Sequence, residues 1–338
     1  MRRKGMAILL TMVVACGMTS CNKSNDEDIK KYGVGVDSAF ETEDMQLETS
    51  VMAVGEEEVS LNEMLFYVYC LESNYDGDLT ANIWDYEYSD DETIGSYTKE
   101  HLVKEIAQIK IICQQAAKEH VSLTEQELNE ASVAAGQFME ALPKGNEDYN
   151  LTREMITDIY AEHALAKKMY DVVAGTVDTS IPAEEAKQVT VSYIEVLTKG
   201  TDRNGNEVDL SEEQKKTALK RAKNLQKDVS TVEDFEAYAK RNSDVDTTEM
   251  KINSATEPTE LQVAINLNQG EISPVIETEN GYYICYCKEE YNVKNAKEYK
   301  ESIIKEREKQ AFTEKFQEWK ENYKVVASET LLDELKLH

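Results

Sequence analysis

Histidine and cysteine are scarce in this sequence of 338 residues. The four histidines are spread along the chain, and no two cysteines have the CxxC spacing that marks many zinc and redox sites. We therefore predict no metal site and no cofactor. Basic side chains are also few: 37 against 66 acidic ones give a net charge of -29, which repels phosphate and excludes nucleic acid as a partner.

The apolar run near the N-terminus is too short to span a bilayer, which takes about 20 residues. It covers residues 6–15, follows three basic residues and precedes a Met-Thr-Ser-Cys segment that ends at Cys21. This order is typical of a secretory signal, and the small residues before a cysteine resemble a bacterial lipoprotein signal. We predict a lipoprotein signal over 1–21, lipidation of Cys21 with Cys16 as the alternative, and a polar tether over 22–49. The protein would then be secreted and lipid-anchored on the outer face of the bacterial cytoplasmic membrane.

Four cysteines lie beyond the signal. Cys285 and Cys287 are two residues apart in a strand-like run, where they would point to the same face and be poorly placed to bond each other. Cys70 and Cys113 would form a disulfide only if their helices touch, and buried free thiols are the alternative.

The segment 50–180 has the pattern of a helical domain. A short hairpin around Gly55 comes first, and helix starts follow at Ser60 and Thr124, each with a glutamate three residues later as a capping-box partner. Apolar side chains at helical spacing then predict long helices over 97–119, 124–142 and 152–175.

The segment 185–290 mixes strands and helices. Alternating apolar residues predict a first strand over 189–196, and Glu279-Asn280-Gly281 is a strong hairpin signal. The remaining predicted elements are helices over 211–227, 231–240 and 259–267 and short strands over 249–252, 275–277 and 282–287. The pattern indicates an α+β domain with a small antiparallel sheet.

A long helix is predicted within 294–325, and residues 326–338 are predicted as a tail. The helix has more aromatic residues on one face than a small sheet domain should require. We expect it to return and pack on the N-terminal helices.

Two motifs in 185–290 resemble the parvulin type of peptidyl-prolyl isomerase. One is Leu267-Asn268-Gln269-Gly270-Glu271-Ile272-Ser273 with the later Gly281-Tyr282-Tyr283-Ile284, and the other is the helix from Phe235 to Ser243-Asp244. Together with the helical segment, the chain from about 50 to 325 resembles PrsA/SurA-type extracytoplasmic foldases. The resemblance implies an α+β protein: a helical chaperone-like N-terminal domain, completed by a C-terminal helix, with an inserted parvulin-like α/β domain.

The resemblance also assigns candidate site residues. The family carries a histidine in the first strand and another in the last hairpin, where this sequence has Tyr193 and Tyr283, and the family's acidic or thiol position falls near Glu249. These three are the candidate catalytic residues. The candidate peptide-binding residues implied by the family's groove are Met250, Pro258, Ile265 and Tyr282.

The missing histidine pair changes the expected function. We predict a membrane-anchored foldase that binds unfolded or nascent secreted polypeptides and whose prolyl isomerase activity is weak or lost. An active isomerase with a rewired pocket and a non-catalytic binding lipoprotein are the alternatives, so enzyme activity stays open, as does the oligomeric state.

Overall fold

A computed structural model describes residues 49–73, 83–89, 92–142, 149–203, 205–290, 293–335 and 337. The predicted signal, the lipidation at Cys21 and the tether up to residue 48 lie outside these residues. The chain divides into two compact units, one of residues up to 177 together with 307–338 and one of residues 178–306. Helices and strands occur together, and the predicted α+β class is confirmed.

The helical unit begins with a hairpin and continues with long helices. Its described elements up to residue 174 are β1 (Ser50–Val54), β2 (Glu57–Ser60), α1 (Leu61–Glu72), β3 (Glu87–Ser89), β4 (Glu92–Thr93), α2 (Ile94–Lys118), α3 (Glu125–Ala141) and α4 (Arg153–Ala174). Among the described residues, no helix combines the length and the apolar character needed to cross a membrane.

Side-chain caps set the starts of these helices. The Thr124 hydroxyl accepts from the Glu127 N–H at 3.3 Å, and the Glu127 carboxylate accepts from the Thr124 N–H at 2.6 Å, which is the predicted capping box. Ser60 caps α1 in the same way, accepting from the Glu63 N–H at 3.2 Å. The Glu63 carboxylate lies beside Lys110 instead of closing the box, so only half of the predicted box at Ser60 forms.

The second unit is built on an antiparallel sheet with the strand order β8-β5-β10-β9. Its described elements are β5 (Gln188–Leu197), β6 (Lys199–Thr201), β7 (Glu207–Asp209), α5 (Glu212–Asp228), α6 (Phe235–Asn242), β8 (Glu249–Asn253), β9 (Ile276–Glu277) and β10 (Gly281–Glu289), with short 3₁₀ turns at Val229–Thr231 and Thr259–Asn266. The helix predicted over 259–267 is therefore a 3₁₀ helix, a tighter form that suits short connections.

The pairing of the strands decides which side chains share a face of this sheet. Tyr193 lies opposite Cys285 across β5 and β10, and Val191 lies opposite Met250 across β5 and β8. These residues and Tyr283 are on one face, called here the tyrosine face, which the 3₁₀ helix covers. The other face, called the helix face, packs against α5 and α6.

The C-terminal residues return to the helical unit. From residue 307 on they form the second half of α7 (Val293–Lys320), β11 (Val325–Ala327) and α8 (Glu329–Glu334), and Phe312 in that half of α7 is fully buried in the same core as Phe66. β11 pairs with β1, with Met52 opposite Ala327. The segment 326–338, predicted as a tail, therefore has regular structure over most of its length. The strand β11 could not be predicted locally, because its three residues pair with a strand that is distant in sequence.

The four cysteines in the described residues are all free. Cys70 and Cys113 do not bond each other, and neither do Cys285 and Cys287, which lie on the same face of β10.

A buried cluster of charged side chains lies among α1, α2 and α4. Lys110 Nζ is 2.6 Å from Glu162 Oε1 and 3.0 Å from Glu63 Oε1, and the lysine side chain is only 6% exposed. The Glu63 contact has no hydrogen-bond geometry, so Glu63 Oε1 and Glu162 Oε2 are buried without a donor among the described residues. The Lys110 ammonium is thus the shared ion-pair partner of the Glu63 and Glu162 carboxylates.

The stability of the helical unit should depend on pH through Glu162. Burial raises the pKa of this carboxyl from 4.5 to about 7, although the charge of Lys110 acts in the opposite direction. Between these pH values the folded chain holds a proton that the unfolded chain lacks, so raising the pH lowers the free energy of unfolding. We therefore expect the difference in the free energy of unfolding between the natural chain and Glu162→Gln to decrease between pH 4.5 and pH 7. Urea unfolding at several pH values measures this difference.

The exposed Glu154 on the same helix, replaced by Gln, is the matched control. A stability difference that stayed constant or rose over this pH range would contradict the expectation.

Candidate functional site

The tyrosine face brings two of the candidate residues together. The rings of Tyr193 and Tyr283 lie 5.7 Å apart between centroids at an angle of 40°. They are diagonal neighbours on β5 and β10, and both are buried, at 6% and 7% exposure. Aromatic pairs at this spacing stabilise a sheet through cross-strand contact. The rings therefore fill the interior of the unit and line no open surface.

Glu195 is a member of this site that the sequence analysis missed. It lies directly opposite Tyr283 in the ladder, and its carboxylate interacts with the Tyr283 hydroxyl. Burial raises the pKa of Glu195, and the hydrogen bond from Tyr283 lowers it in part. Burial and the neighbouring Glu195 raise the pKa of the Tyr283 hydroxyl, so the phenol keeps its proton. The sequence does contain a signal for this position. Side chains alternate between the two faces along a strand, so Glu195 lies on the same face as Tyr193.

The structure does not bring Glu249, the third candidate catalytic residue, to the two tyrosines. Glu249 pairs with Ser192 and so belongs to the helix face, where its carboxylate binds Lys288. The residue beside Tyr193 is Thr248, whose carbonyl accepts from the Tyr193 N–H at 2.9 Å and which is 7% exposed. A shift of one residue in a strand moves a side chain to the opposite face.

Tyr282 is also on the helix face, contrary to its predicted role in peptide binding. It is 5% exposed and packs with Ile284 against the core beneath α5 and α6. The other predicted peptide-binding residues differ from it: Met250 and Ile265 are half-buried at the edge of the tyrosine-face core, and half-buried Pro258 precedes the 3₁₀ helix.

The motif at Ser243-Asp244 has a structural role in this site. The Ser243 hydroxyl accepts from the Glu195 N–H at 3.0 Å, and the Asp244 carboxylate accepts from the Leu197 N–H at 3.0 Å. Arg221 of α5 holds the same carboxylate at 2.6 Å. These contacts satisfy the backbone at the end of β5 and fix the strand that carries Tyr193 and Glu195.

A cavity of about 690 Å³ lies away from the tyrosine pair. It crosses the sheet along the row formed by Lys251, Thr190 and Glu289. The full lining is Thr190, Glu249, Met250, Lys251, Gln269, Lys288 and Glu289. Its volume is in the range of ligand sites, yet its walls are charged and polar more than apolar. In the part of the chain that the structure describes, no group of three or more His, Cys, Asp or Glu side chains is placed to hold a metal ion.

Removal of the Tyr283 hydroxyl should destabilise the second unit. In Tyr283→Phe, the buried Glu195 carboxylate loses its hydrogen-bond donor, which should lower the free energy of unfolding by about 1–3 kcal/mol. Tyr193→Phe is the matched control, because the structure shows no hydrogen-bond partner for that hydroxyl among the described residues, and it should change stability by less than about 0.5 kcal/mol.

The double variant Tyr283→Phe/Glu195→Leu should recover part of the loss, because it removes both partners of the bond. Urea unfolding of the four proteins measures these values. Equal losses in the two Tyr→Phe variants would contradict the assigned hydrogen bond.

Comparison with known proteins gives matches to about two thirds of the chain and to part of the second unit. Residues 203–289 match the family described as Rotamase, PPIC-type PPIASE domain. The curated Foldase protein PrsA of Clostridium botulinum strain Langeland is 26% identical over 250 residues, covering 67% of this chain and 72% of that protein. Foldase protein PrsA of strain Loch Maree is 40% identical over 78 residues, covering 21% of this chain and 23% of that protein. The family match begins after β5, so Tyr193 and Glu195 lie outside it.

Solved structures of similar proteins include PrsA from Bacillus cereus, with a TM-score of 0.38 and 18% identity, covering 82% of this chain and 91% of that one. PrsA from Bacillus anthracis has a TM-score of 0.36 and 18% identity, covering 65% of this chain and 95% of that one. The domain match and the curated relatives confirm the recognition made from the sequence: the chain is similar to PrsA-type foldases and carries a parvulin-like, PpiC-type domain.

Proposed function

We propose that this protein is an extracytoplasmic foldase that binds unfolded secreted polypeptides and whose parvulin-like domain has weak or no isomerase activity. The similarity to PrsA foldases supports the general role. The observation that carries the loss of activity is the closed tyrosine face, where Tyr193 and Tyr283 are at most 7% exposed.

Catalysis of prolyl isomerisation must lower a barrier of about 20 kcal/mol by binding the twisted amide better than the planar forms. Such binding needs a polar, accessible pocket. Here the Tyr283 hydroxyl interacts with Glu195, and both rings belong to the buried core that Leu261 and Ala264 of the 3₁₀ helix also join. Neither tyrosine is accessible to a peptide.

A protease-free isomerisation assay on a proline peptide tests this part of the proposal. We expect the rate with the full chain to equal the rate in buffer. An acceleration that grows with protein concentration would favour the active isomerase with a rewired pocket.

The foldase role predicts that the protein slows the aggregation of an unfolded secreted protein diluted from denaturant. An unrelated folded protein of similar negative charge is the control, because net charge alone affects association. The large apolar side chains exposed on the helical unit are candidate contacts: Tyr86, Tyr97, Leu128, Val133 and Val172. Aggregation at the control rate would favour the non-catalytic binding lipoprotein.

We also propose that the mature chain is anchored through lipid on Cys21. The support is the sequence pattern of a signal followed by a polar tether. Cys21→Ser should move the protein from the membrane fraction to the medium, and Cys16→Ser should leave it on the membrane. The reverse result would assign the anchor to Cys16.

A further inference from the structure

The outer strand β8 has one edge that no other strand covers. It pairs with β5 on its inner side only, and the Tyr193 N–H donates to the Thr248 carbonyl at 2.9 Å. Inward and outward backbone groups alternate along an antiparallel strand. The pairing therefore directs the backbone groups of Met250 and Ile252 to β5 and those of Glu249, Lys251 and Asn253 outward.

Only part of this outward edge is already bonded. Asn253 uses both of its backbone groups on Thr256: its N–H donates to the Thr256 hydroxyl at 2.8 Å, and its carbonyl accepts from the Thr256 N–H at 3.2 Å. The N–H and carbonyl groups of Glu249 and Lys251 have no partner among the described residues, and both residues are exposed. The edge thus offers two donors and two acceptors in the alternation that another extended backbone presents.

The 690 Å³ cavity adjoins this edge. Glu249, Met250 and Lys251 form its wall on β8, and it continues over Thr190 toward Lys288 and Glu289 on β10. Charges of both signs line it, so it selects neither acidic nor basic peptides as a class. A chain lying along β8 would have room there for side chains of varied size.

We propose that an extended segment of an unfolded polypeptide pairs with Glu249 and Lys251 as an added fifth strand, with its side chains in the adjoining cavity. This inference rests on the proposed function, for which it names a binding mode. Main-chain hydrogen bonds supply affinity in strand addition and are independent of sequence, as a foldase client requires.

The size of the edge favours a client segment over a second copy of this chain. Two free residues bury far less than the roughly 800 Å² per partner of a stable protein interface. A short, weak pairing site suits a client that must be released.

The first test uses the full chain and a synthetic peptide of about ten alternating Ser and Val residues with a lysine at each end. Addition of the peptide should slow hydrogen exchange at the Glu249 and Lys251 amides. A peptide with N-methyl groups on four consecutive residues, which blocks both of its edges, should bind at least about tenfold more weakly. The same peptide methylated at four alternate residues keeps one edge and should bind within about threefold of the parent.

The second test uses two variants at one position. Lys251→Pro removes an outward N–H without breaking a bond to β5, a position where strands tolerate proline, and should weaken peptide binding about tenfold. Lys251→Ala removes only the side chain, so its affinity for the peptide should stay within about twofold of that of the natural chain. Protection of the Ile252 amide from exchange in both variants shows that β8 stays paired with β5.

Equal binding of the two methylated peptides, or equal effects of the two variants, would overturn the inference. So would protection of Lys251 that rises with protein concentration in the absence of peptide, which would assign the edge to a second copy. The outcome of the aggregation assay does not depend on these results. Failure of the strand-addition mode is therefore distinguishable from failure of the foldase role.

Discussion

A chain that ends at residue 306 should fail to fold its helical unit. The missing segment supplies eight side chains to that core, each at most 8% exposed: Phe312, Phe316, Trp319, Tyr323, Val325, Ala327, Leu331 and Leu335. It also supplies β11, which pairs with β1. Burial of one large apolar side chain is worth roughly 1.5–3 kcal/mol, and the net stability of a domain is only about 5–15 kcal/mol. We expect residues 50–174 of the shortened chain to lose their slow-exchanging amides.

Single substitutions make the same test without a deletion. Phe312→Ala should cost about 3–5 kcal/mol in the free energy of unfolding, because it opens a cavity at a fully buried site. Gln317→Ala, at an exposed position one turn further along α7, should change stability by less than about 0.5 kcal/mol. Slow exchange preserved over 50–174 in the shortened chain would show that the helical unit folds without α7 and β11.

Replacement of Lys110 by Met should be the most damaging charge change in the helical unit. Lys110 is the cation between Glu63 and Glu162, and without it two buried carboxylates face each other. Removal of one partner from a buried ion pair costs about 3–5 kcal/mol, because the remaining charge stays desolvated. The loss should be smaller at pH 5 than at pH 8, since the carboxylates take up protons as the pH falls. Urea unfolding at the two pH values measures it.

Lys104 on the same helix is the matched control. It makes an i,i+4 pair with Glu100 at 2.9 Å on the surface, and Lys104→Met should cost no more than about 0.5 kcal/mol. Addition of Glu63→Gln and Glu162→Gln to Lys110→Met should restore part of the stability. Similar losses of stability in Lys104→Met and Lys110→Met would show that burial does not increase the contribution of the Lys110 ion pairs.

Elements with local signals could be predicted from the sequence. The helix that starts after Thr124 and the hairpin at Asn280-Gly281 depend on neighbouring residues, and both form where predicted. The strand β11 could not be predicted, because its three residues become a strand only by pairing with β1, more than 270 positions earlier. Non-local pairing of this kind is absent from any local pattern.

The site was only half predictable for the same reason. Tyr193 and Tyr283 were found through the resemblance, and the structure brings them together. The position of Glu249 on the helix face could not be predicted, because the register of β8 against β5 depends on a strand that is distant in sequence. Glu195 was overlooked because a glutamate in an alternating strand suggests a solvent-facing position, whereas here a tyrosine hydroxyl compensates its burial.

The four free thiols of the folded units bear on how such a protein withstands an oxidising environment. Burial raises the pKa of Cys70, Cys113 and Cys285 to about 12, and it raises the pKa of Cys287 as well. Thiol–disulfide exchange needs the thiolate, so at neutral pH these sulfurs are almost entirely in the unreactive form. In the proposed foldase role, buried thiols of this kind would exchange little with the cysteines of client polypeptides.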